Sequence, residues 1–247
     1  MGDSRVKYRV LRRLTLVASL ASGAMLAPVA TPRAQAPDSC SAGLQACGAI
    51  IGHIKLTTRI RAPLPGNAYP SRSIGKHEAP PIPEIRNVVV YLKEPAFRGA
   101  LPISRVELHQ QNETFVPHVL AITKGSSVDF PNDDPFFHNV FSLSSAASFN
   151  LGRYPRGQSR TEKFAKAGLV KVFCDIHSHM SASILVLDHP YFTIPGTDGN
   201  YEIRNVPAGQ YTIVGWHERV GERSASVRVE AGHPVTVDLT VPVEDLP

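Results

Sequence analysis

Short apolar runs that alternate with polar residues are the feature of this sequence that most restricts its fold. Residues 225–229 and 235–241 alternate strictly, and residues 169–174 place Val170 and Val172 on one side of a strand and Leu169 and Lys171 on the other. No segment shows a sustained helical period with capping residues, and 21 prolines and 18 glycines supply frequent turns. The sequence therefore predicts an all-β protein.

The net positive charge of the chain lies in its first residues. Residues 1–36 hold six basic residues and one acidic residue out of totals of 26 and 21, so the remainder is neutral. The basic start is followed by an apolar stretch, residues 14–30, and by Ala34-Gln35-Ala36, a small-x-small cleavage site. Because this stretch is shorter and less apolar than a membrane span, we predict a signal peptide cleaved near Ala36. The mature protein would then be periplasmic and would have no membrane span.

Turn residues divide the rest of the chain into three regions. Residues 37–103 contain strands and a proline-rich loop, residues 104–188 contain several short strands, and residues 189–247 read as a small β-sandwich. Strands within residues 48–93 either complete this last module or belong with the middle region. Cys40 and Cys47 predict a disulfide in an exported chain, with two free thiols or a second metal site as alternatives.

One loop and one upstream histidine carry the metal-binding chemistry. Cys174, His177 and Met180 offer a thiolate, an imidazole and a thioether within a single loop, and His138 follows an earlier strand. The two sulfur ligands suit reduced copper, and the imidazoles suit both oxidation states. Two histidines and a cysteine with a weak axial methionine form the ligand set of blue-copper sites. We therefore predict one copper ion held by His138, Cys174, His177 and Met180.

The same residues carry a family resemblance. The pattern Cys174-x-x-His177-x-x-Met180, preceded by His138-Asn139, resembles the cupredoxins, which include plastocyanin and amicyanin. The wider context, which consists of Phe115-x-Pro117, residues 125–132 and residues 138–142, resembles exported plastocyanin-like proteins often labelled methylamine utilization proteins. The resemblance covers roughly residues 104–188 and implies a Greek-key sandwich with one type 1 copper.

The resemblance also implies a role for each residue of this pattern. His138 and His177 would be the equatorial imidazoles, Cys174 the thiolate ligand and Met180 the weak axial ligand. Asn139 would tie the two ligand loops together. His179 departs from the pattern: it is either an exposed loop residue, a pH-sensitive group or electron-exit surface, or a replacement ligand.

A second resemblance concerns the C-terminal region. The sequence of residues 197–211, TDGNYEIRNVPAGQY, resembles the transthyretin-like regulatory domain found after carboxypeptidases. This resemblance implies a scaffold and no particular activity.

The sequence contains no enzyme framework. It has no Ser/His/Asp signature, no phosphate-binding glycine loop and no HExxH, and it lacks basic patches interleaved with aromatic residues, so nucleic acid is not an expected partner. We expect an electron carrier, not an enzyme, with a cytochrome or an exported dehydrogenase as its redox partner. The alternatives are a copper-storage, sensory or structural module without a redox partner, and a metal-free binding domain.

Overall fold

The computed structural model describes residues 47–59 and 84–244, and these residues are almost entirely β-structure. They contain no α-helix, and their one helical turn is a 3-10 turn at Glu84–Asn87. The predicted all-β sandwich is therefore confirmed. The signal peptide, Cys40 and most of the proline-rich loop lie outside the described residues, so the predictions made for them stay predictions.

The described strands are, in chain order, β1 (Cys47–Arg59), β2 (Val88–Leu92), β3 (Arg105–Glu107), β4 (His109–Gln111), β5 (Thr114–Val116), β6 (Val119–Thr123), β7 (Ser127–Pro131), β8 (His138–Ser144), β9 (Ala147–Tyr154), β10 (Ser159–Lys163), β11 (Gly168–Phe173), β12 (Ser181–Leu187), β13 (Phe192–Thr193), β14 (Asn200–Pro207), β15 (Gly209–His217), β16 (Gly221–Val229), β17 (Pro234–Thr236) and β18 (Leu239–Glu244).

Residues 105–187 form a sandwich that we call the central module. One sheet has the order β6-β12-β11-β8-β9, and the other has the order β10-β7-β3. Alternate side chains of the two sheets meet in a common core, which includes Val128 and Phe130 from β7 and Val170 and Val172 from β11. The small hairpin β4–β5 lies beside this sandwich and bonds to the segment after β7.

Strands from both ends of the described chain form a second sandwich, which we call the flanking module. Strand β1 pairs with β14, β17 and β18, and strand β2 lies between β13 and β15 in the order β13-β2-β15-β16. Side chains of these two sheets, such as Ile50 and Ile54 from β1 and Val88 and Val90 from β2, share one buried core. The central module is thus placed in the chain between strands β2 and β13.

A third apolar cluster joins the two modules. Val89, Tyr91 and Trp216 from the flanking module pack with Val119 and Leu185 from the central module. The sheet that contains β2 is therefore covered on both faces, which explains why every residue of this strand is buried. The continuous apolar run of β2 is the sequence signal of such a doubly covered strand. The described sheets consequently stack in four layers.

A polar contact at the edge of this cluster also links the modules. Glu218, in the turn between β15 and β16, accepts hydrogen bonds from His118, from Lys171 Nζ at 3.1 Å and from Ser183 Oγ at 2.9 Å. Burial raises the pKa of Glu218. Its hydrogen bonds to His118, Lys171 and Ser183 and the charge of His118 outweigh this effect, and the pKa falls from 4.5 to about 2. The carboxylate is therefore charged and fully bonded where the two modules meet.

Two single residues mark local features of the described fold. Leu108 separates β3 from β4, which belong to different sheets. His189 is buried and stacks on Tyr191, and this burial lowers its pKa to about 4. The described residues include no helix that is long and apolar enough to cross a membrane.

Replacing Glu218 with glutamine tests the polar link. The ordinary pKa of this carboxyl is 4.5 and its value in the fold is about 2, so its charge stabilises the fold above about pH 5 and this contribution fades as the pH falls towards 2. We expect Glu218→Gln to lower the free energy of unfolding by roughly 1–3 kcal/mol at pH 7, with a difference that shrinks between pH 5 and pH 2. Urea unfolding at several pH values measures this, and Glu230→Gln, at an exposed position, is the control. If the free energy of unfolding of Glu218→Gln differed from that of the unsubstituted protein by the same amount at every pH, the charge of Glu218 would not be the source of the stabilisation.

Candidate metal centre

Two neighbouring strands bring the predicted ligands together at one end of the central module. His138 is the first residue of β8, and Cys174 directly follows β11, which pairs with β8 through Phe173 and Phe141. Because side chains alternate along β11, Cys174 points to the same side as the core residue Val172. Both ligand side chains are buried, with 4% of Cys174 and 0% of His138 exposed.

The candidate ligand atoms of three residues form a compact triangle. His138 Nδ1 and His177 Nδ1 are 3.0 Å apart, and Cys174 Sγ lies 3.9 Å from the first and 3.8 Å from the second. A point equidistant from the three atoms lies about 2.1 Å from each, close to the ~2.0–2.1 Å of zinc–imidazole bonds and the ~2.3 Å of zinc–thiolate bonds. One transition-metal ion therefore fits among His138, Cys174 and His177.

The loop that carries His177 is closed by its own backbone. The Cys174 N–H donates to the Met180 carbonyl at 3.3 Å, and the Met180 N–H donates to the His177 carbonyl at 3.0 Å. Met180 is buried in the same core as Cys174 and directly precedes β12. These contacts place three of the four predicted ligands in one tight turn, while the axial role of Met180 stays a prediction.

A carboxylate that the sequence analysis missed lies behind His138. His138 Nε2, the ring nitrogen outside the triangle, lies 2.8 Å from Asp134 Oδ2. Burial raises the pKa of Asp134, but hydrogen bonds from the Glu113 N–H, His138 and the Asn112 N–H outweigh it and leave the pKa below its ordinary value. The available signal was the position of Asp134 four residues before His138, in the connection between β7 and β8.

Aromatic and aliphatic side chains surround the triangle. The ring of Phe136 lies 5.4 Å from that of His138 and 5.7 Å from that of His177, between ring centres. Burial lowers the pKa of His177, and the neighbouring His138 lowers it further. Phe137 and Ile176, which flank the ligands in sequence, are exposed. The site therefore lies at the surface end of the sandwich with an apolar rim.

Two further residues, Asn139 and His179, lie next to the candidate ligands in the sequence. The side chain of Asn139 donates to Asn150 Oδ1 at 2.8 Å on β9, and its own oxygen has no partner, so the implied contact between the ligand loops is not formed by this side chain. His179 is 62% exposed and lies 3.3 Å from Glu113. It is thus an exposed loop histidine outside the three-residue cluster.

No protein family and no curated protein matches the chain. Among solved structures, a Cu(I) form of an amicyanin mutant is 18% identical, over 33% of this chain and 81% of that chain, with a TM-score of 0.32. A reduced form of another amicyanin mutant is 19% identical, over 33% of this chain and 80% of that chain, with a TM-score of 0.31. The copper-containing nitrite reductase of Thermus scotoductus SA-01 is 23% identical, over 39% of this chain and 25% of that chain, with a TM-score of 0.33.

The two histidines of the loop provide a matched pair for testing the site. We expect His177→Ala to weaken metal binding by more than the roughly 10–100-fold typical for loss of a residue that only supports a ligand. His179→Ala should leave the affinity within about threefold, because His179 lies outside the triangle. Titration with Co(II) or Cu(II) against a competing chelator measures both. Equal losses in the two variants would show that the triangle is not the binding site.

Proposed function

We propose that this chain is an exported type 1 copper protein that transfers single electrons between redox partners. The observation that supports the proposal is the triangle of His138 Nδ1, Cys174 Sγ and His177 Nδ1, in which the first two residues are buried and the dimensions suit one metal ion. Met180 would supply the weak axial ligand. The resemblance of the ligand pattern to the cupredoxins also supports this proposal. The flanking module would be the transthyretin-like scaffold.

The donor set favours copper over other metals. A thiolate and a thioether are soft donors that stabilise Cu(I), and imidazole is a good ligand for both Cu(I) and Cu(II). Structural zinc sites, in contrast, are closed by four cysteine or histidine ligands, and among the described residues this cluster contains three. Bound copper would supply a one-electron couple.

The surroundings of the triangle suit rapid electron exchange. The ligands come from strand ends and from a turn closed by its own hydrogen bonds, so they are held in place by the fold itself. A site whose ligands are held by the protein needs little rearrangement when the charge of the metal changes. The exposed apolar side chains of Phe137 and Ile176 provide a rim for a short-lived partner contact.

The proposed partners are a cytochrome or an exported dehydrogenase, met in the periplasm after signal peptide cleavage near Ala36. The sequence beyond residue 36 has equal numbers of basic and acidic residues. Long-range steering by net charge is therefore weak, and docking would depend on the apolar rim and on local charges near it.

Replacing the thiolate tests the copper site directly. We expect the protein with one equivalent of Cu(II) to show an intense visible charge-transfer band and the narrow copper hyperfine splitting of a type 1 site in EPR. Cys174→Ser should abolish the band because the sulfur ligand is lost, whereas His179→Ala should retain it. A colourless, weakly bound copper in the unsubstituted protein would contradict the proposed function.

The exposed rim tests the transfer of electrons to a partner. Ile176 is 40% exposed beside His177, and Leu143 is 81% exposed at the other end of β8. We expect Ile176→Ser to slow stopped-flow electron exchange with a soluble c-type cytochrome by about threefold or more, whereas Leu143→Ser should not, and neither should change the visible spectrum. Copper that binds with the type 1 spectrum but exchanges no electrons with cytochrome or electrode would instead support storage.

A further inference from the structure

The imidazole of His138 is held by a buried carboxylate on the side opposite the proposed metal. Its Nδ1 belongs to the triangle, and its Nε2 lies 2.8 Å from Asp134 Oδ2. The side chains of His138 and Asp134 are 0% and 6% exposed. A charged carboxylate has no proton to donate, so Asp134 can only accept in this hydrogen bond. Nε2 of His138 therefore carries the proton, and Nδ1 is left as the candidate ligand atom.

Asp134 is itself fixed by a turn from another part of the sandwich. Its two carboxylate oxygens accept the Asn112 N–H at 2.6 Å and the Glu113 N–H at 2.8 Å. Its own N–H donates to Asn132 Oδ1 at 3.0 Å. The carboxylate of Asp134 is therefore bonded to the hairpin β4–β5 and to the imidazole of His138, and the backbone N–H of Asp134 is bonded to its own loop.

The supporting turn has an unusual backbone. Asn112 and Glu113 form the two-residue turn between β4 and β5, and both have positive φ angles, 54° and 53°. Two-residue hairpins of this kind favour asparagine and glycine, and glutamate at a positive φ is disfavoured. The conformation points both N–H groups at one carboxylate, so Asp134 offsets part of the cost of the turn.

We propose that Asp134 is a positioning residue of the copper centre, which fixes the ring of His138 and tunes the metal through it, with the Asn112–Glu113 turn as its support. This inference rests on the proposed function where copper is concerned. A charged acceptor on Nε2 makes the imidazole a stronger donor to the metal. A stronger donor stabilises Cu(II) more than Cu(I), so the carboxylate keeps the reduction potential lower than a neutral partner would.

A purely structural role predicts a different outcome. If Asp134 served only to join β4–β5 to the loop before β8, its loss would weaken the fold and reduce the affinity for Cu(I) and Cu(II) equally. The reduction potential depends on the ratio of the two affinities, so it would not move. The potential therefore separates positioning of the metal ligand from structural support.

The experiment compares Asp134→Asn with Asp133→Asn. Asp133 is the adjacent carboxylate and bonds to His109, away from the triangle. We expect Asp134→Asn to lower Cu(II) affinity about 10–100-fold and Cu(I) affinity less. A tenfold difference between the two losses raises the reduction potential by about 59 mV. Asp133→Asn should change neither quantity, and Asp134→Glu, which keeps the charge, should lie between the unsubstituted protein and Asp134→Asn. An unchanged potential in a folded Asp134→Asn protein would overturn the proposal.

A measurement without copper separates this inference from the proposed function. In ¹⁵N-labelled metal-free protein, the Nε2–H of His138 should give a downfield, slowly exchanging proton resonance that Asp133→Asn retains and Asp134→Asn loses or shifts. If the protein binds no copper but shows this pattern, the proposed function fails, while the part of the inference that Asp134 fixes the ring of His138 stands. A resonance unaffected by Asp134→Asn would overturn the role. If circular dichroism shows Asp134→Asn to be unfolded, Asp134→Glu decides by the same resonance, which should shift because the carboxylate is displaced.

Discussion

The pairing of β8 with β11 is the constraint on which the candidate metal site depends. Strand alternation directs Cys174 into the core directly after β11, and the antiparallel neighbour β8 begins with His138. The sulfur and the first imidazole therefore meet where β11 ends and β8 begins. A shift of β11 by one residue would turn Cys174 to the outer face and expose Val172. The hydrophobic pattern that folds the sandwich thus also fixes the ligand geometry, and the site is assembled from the same interactions as the core.

The flanking module contributes to this constraint through β12. This strand starts directly after Met180, pairs with β11 and β6, and is buried on both faces because the sheet of β2 and β15 packs on its outer side. The ligand turn therefore ends in one of the least exposed strands of the described structure. The contacts of Glu218 with Lys171 and Ser183 attach the flanking module to β11 and β12 themselves. Rigidity at the site is in this way shared by both modules.

The sequence predicted those parts of the structure that local patterns encode. The alternation of residues 169–174 predicted strand β11, and the spacing of Cys174 and His177 identified residues that do come together. The partners of β1 and β2 could not be chosen, because strand pairing across more than a hundred residues leaves no local signal. Asp134 was missed because the spacing to His138 alone does not show that its carboxylate is fixed by Asn112 and Glu113, which lie on another hairpin.

The distribution of burial around the triangle bears on the choice between carrying electrons and storing copper. A copper store must release its ion, which requires ligands that can move apart at low cost. Here Cys174 and His138 are buried at strand ends, and His138 is bonded to the carboxylate of Asp134, which accepts two further hydrogen bonds from backbone N–H groups. Opening this arrangement would leave buried polar groups without partners, each at a cost of roughly 1–3 kcal/mol. The proposed electron transfer needs no such opening, since an electron would pass through the partly exposed His177 and its apolar rim while every candidate ligand stays in place.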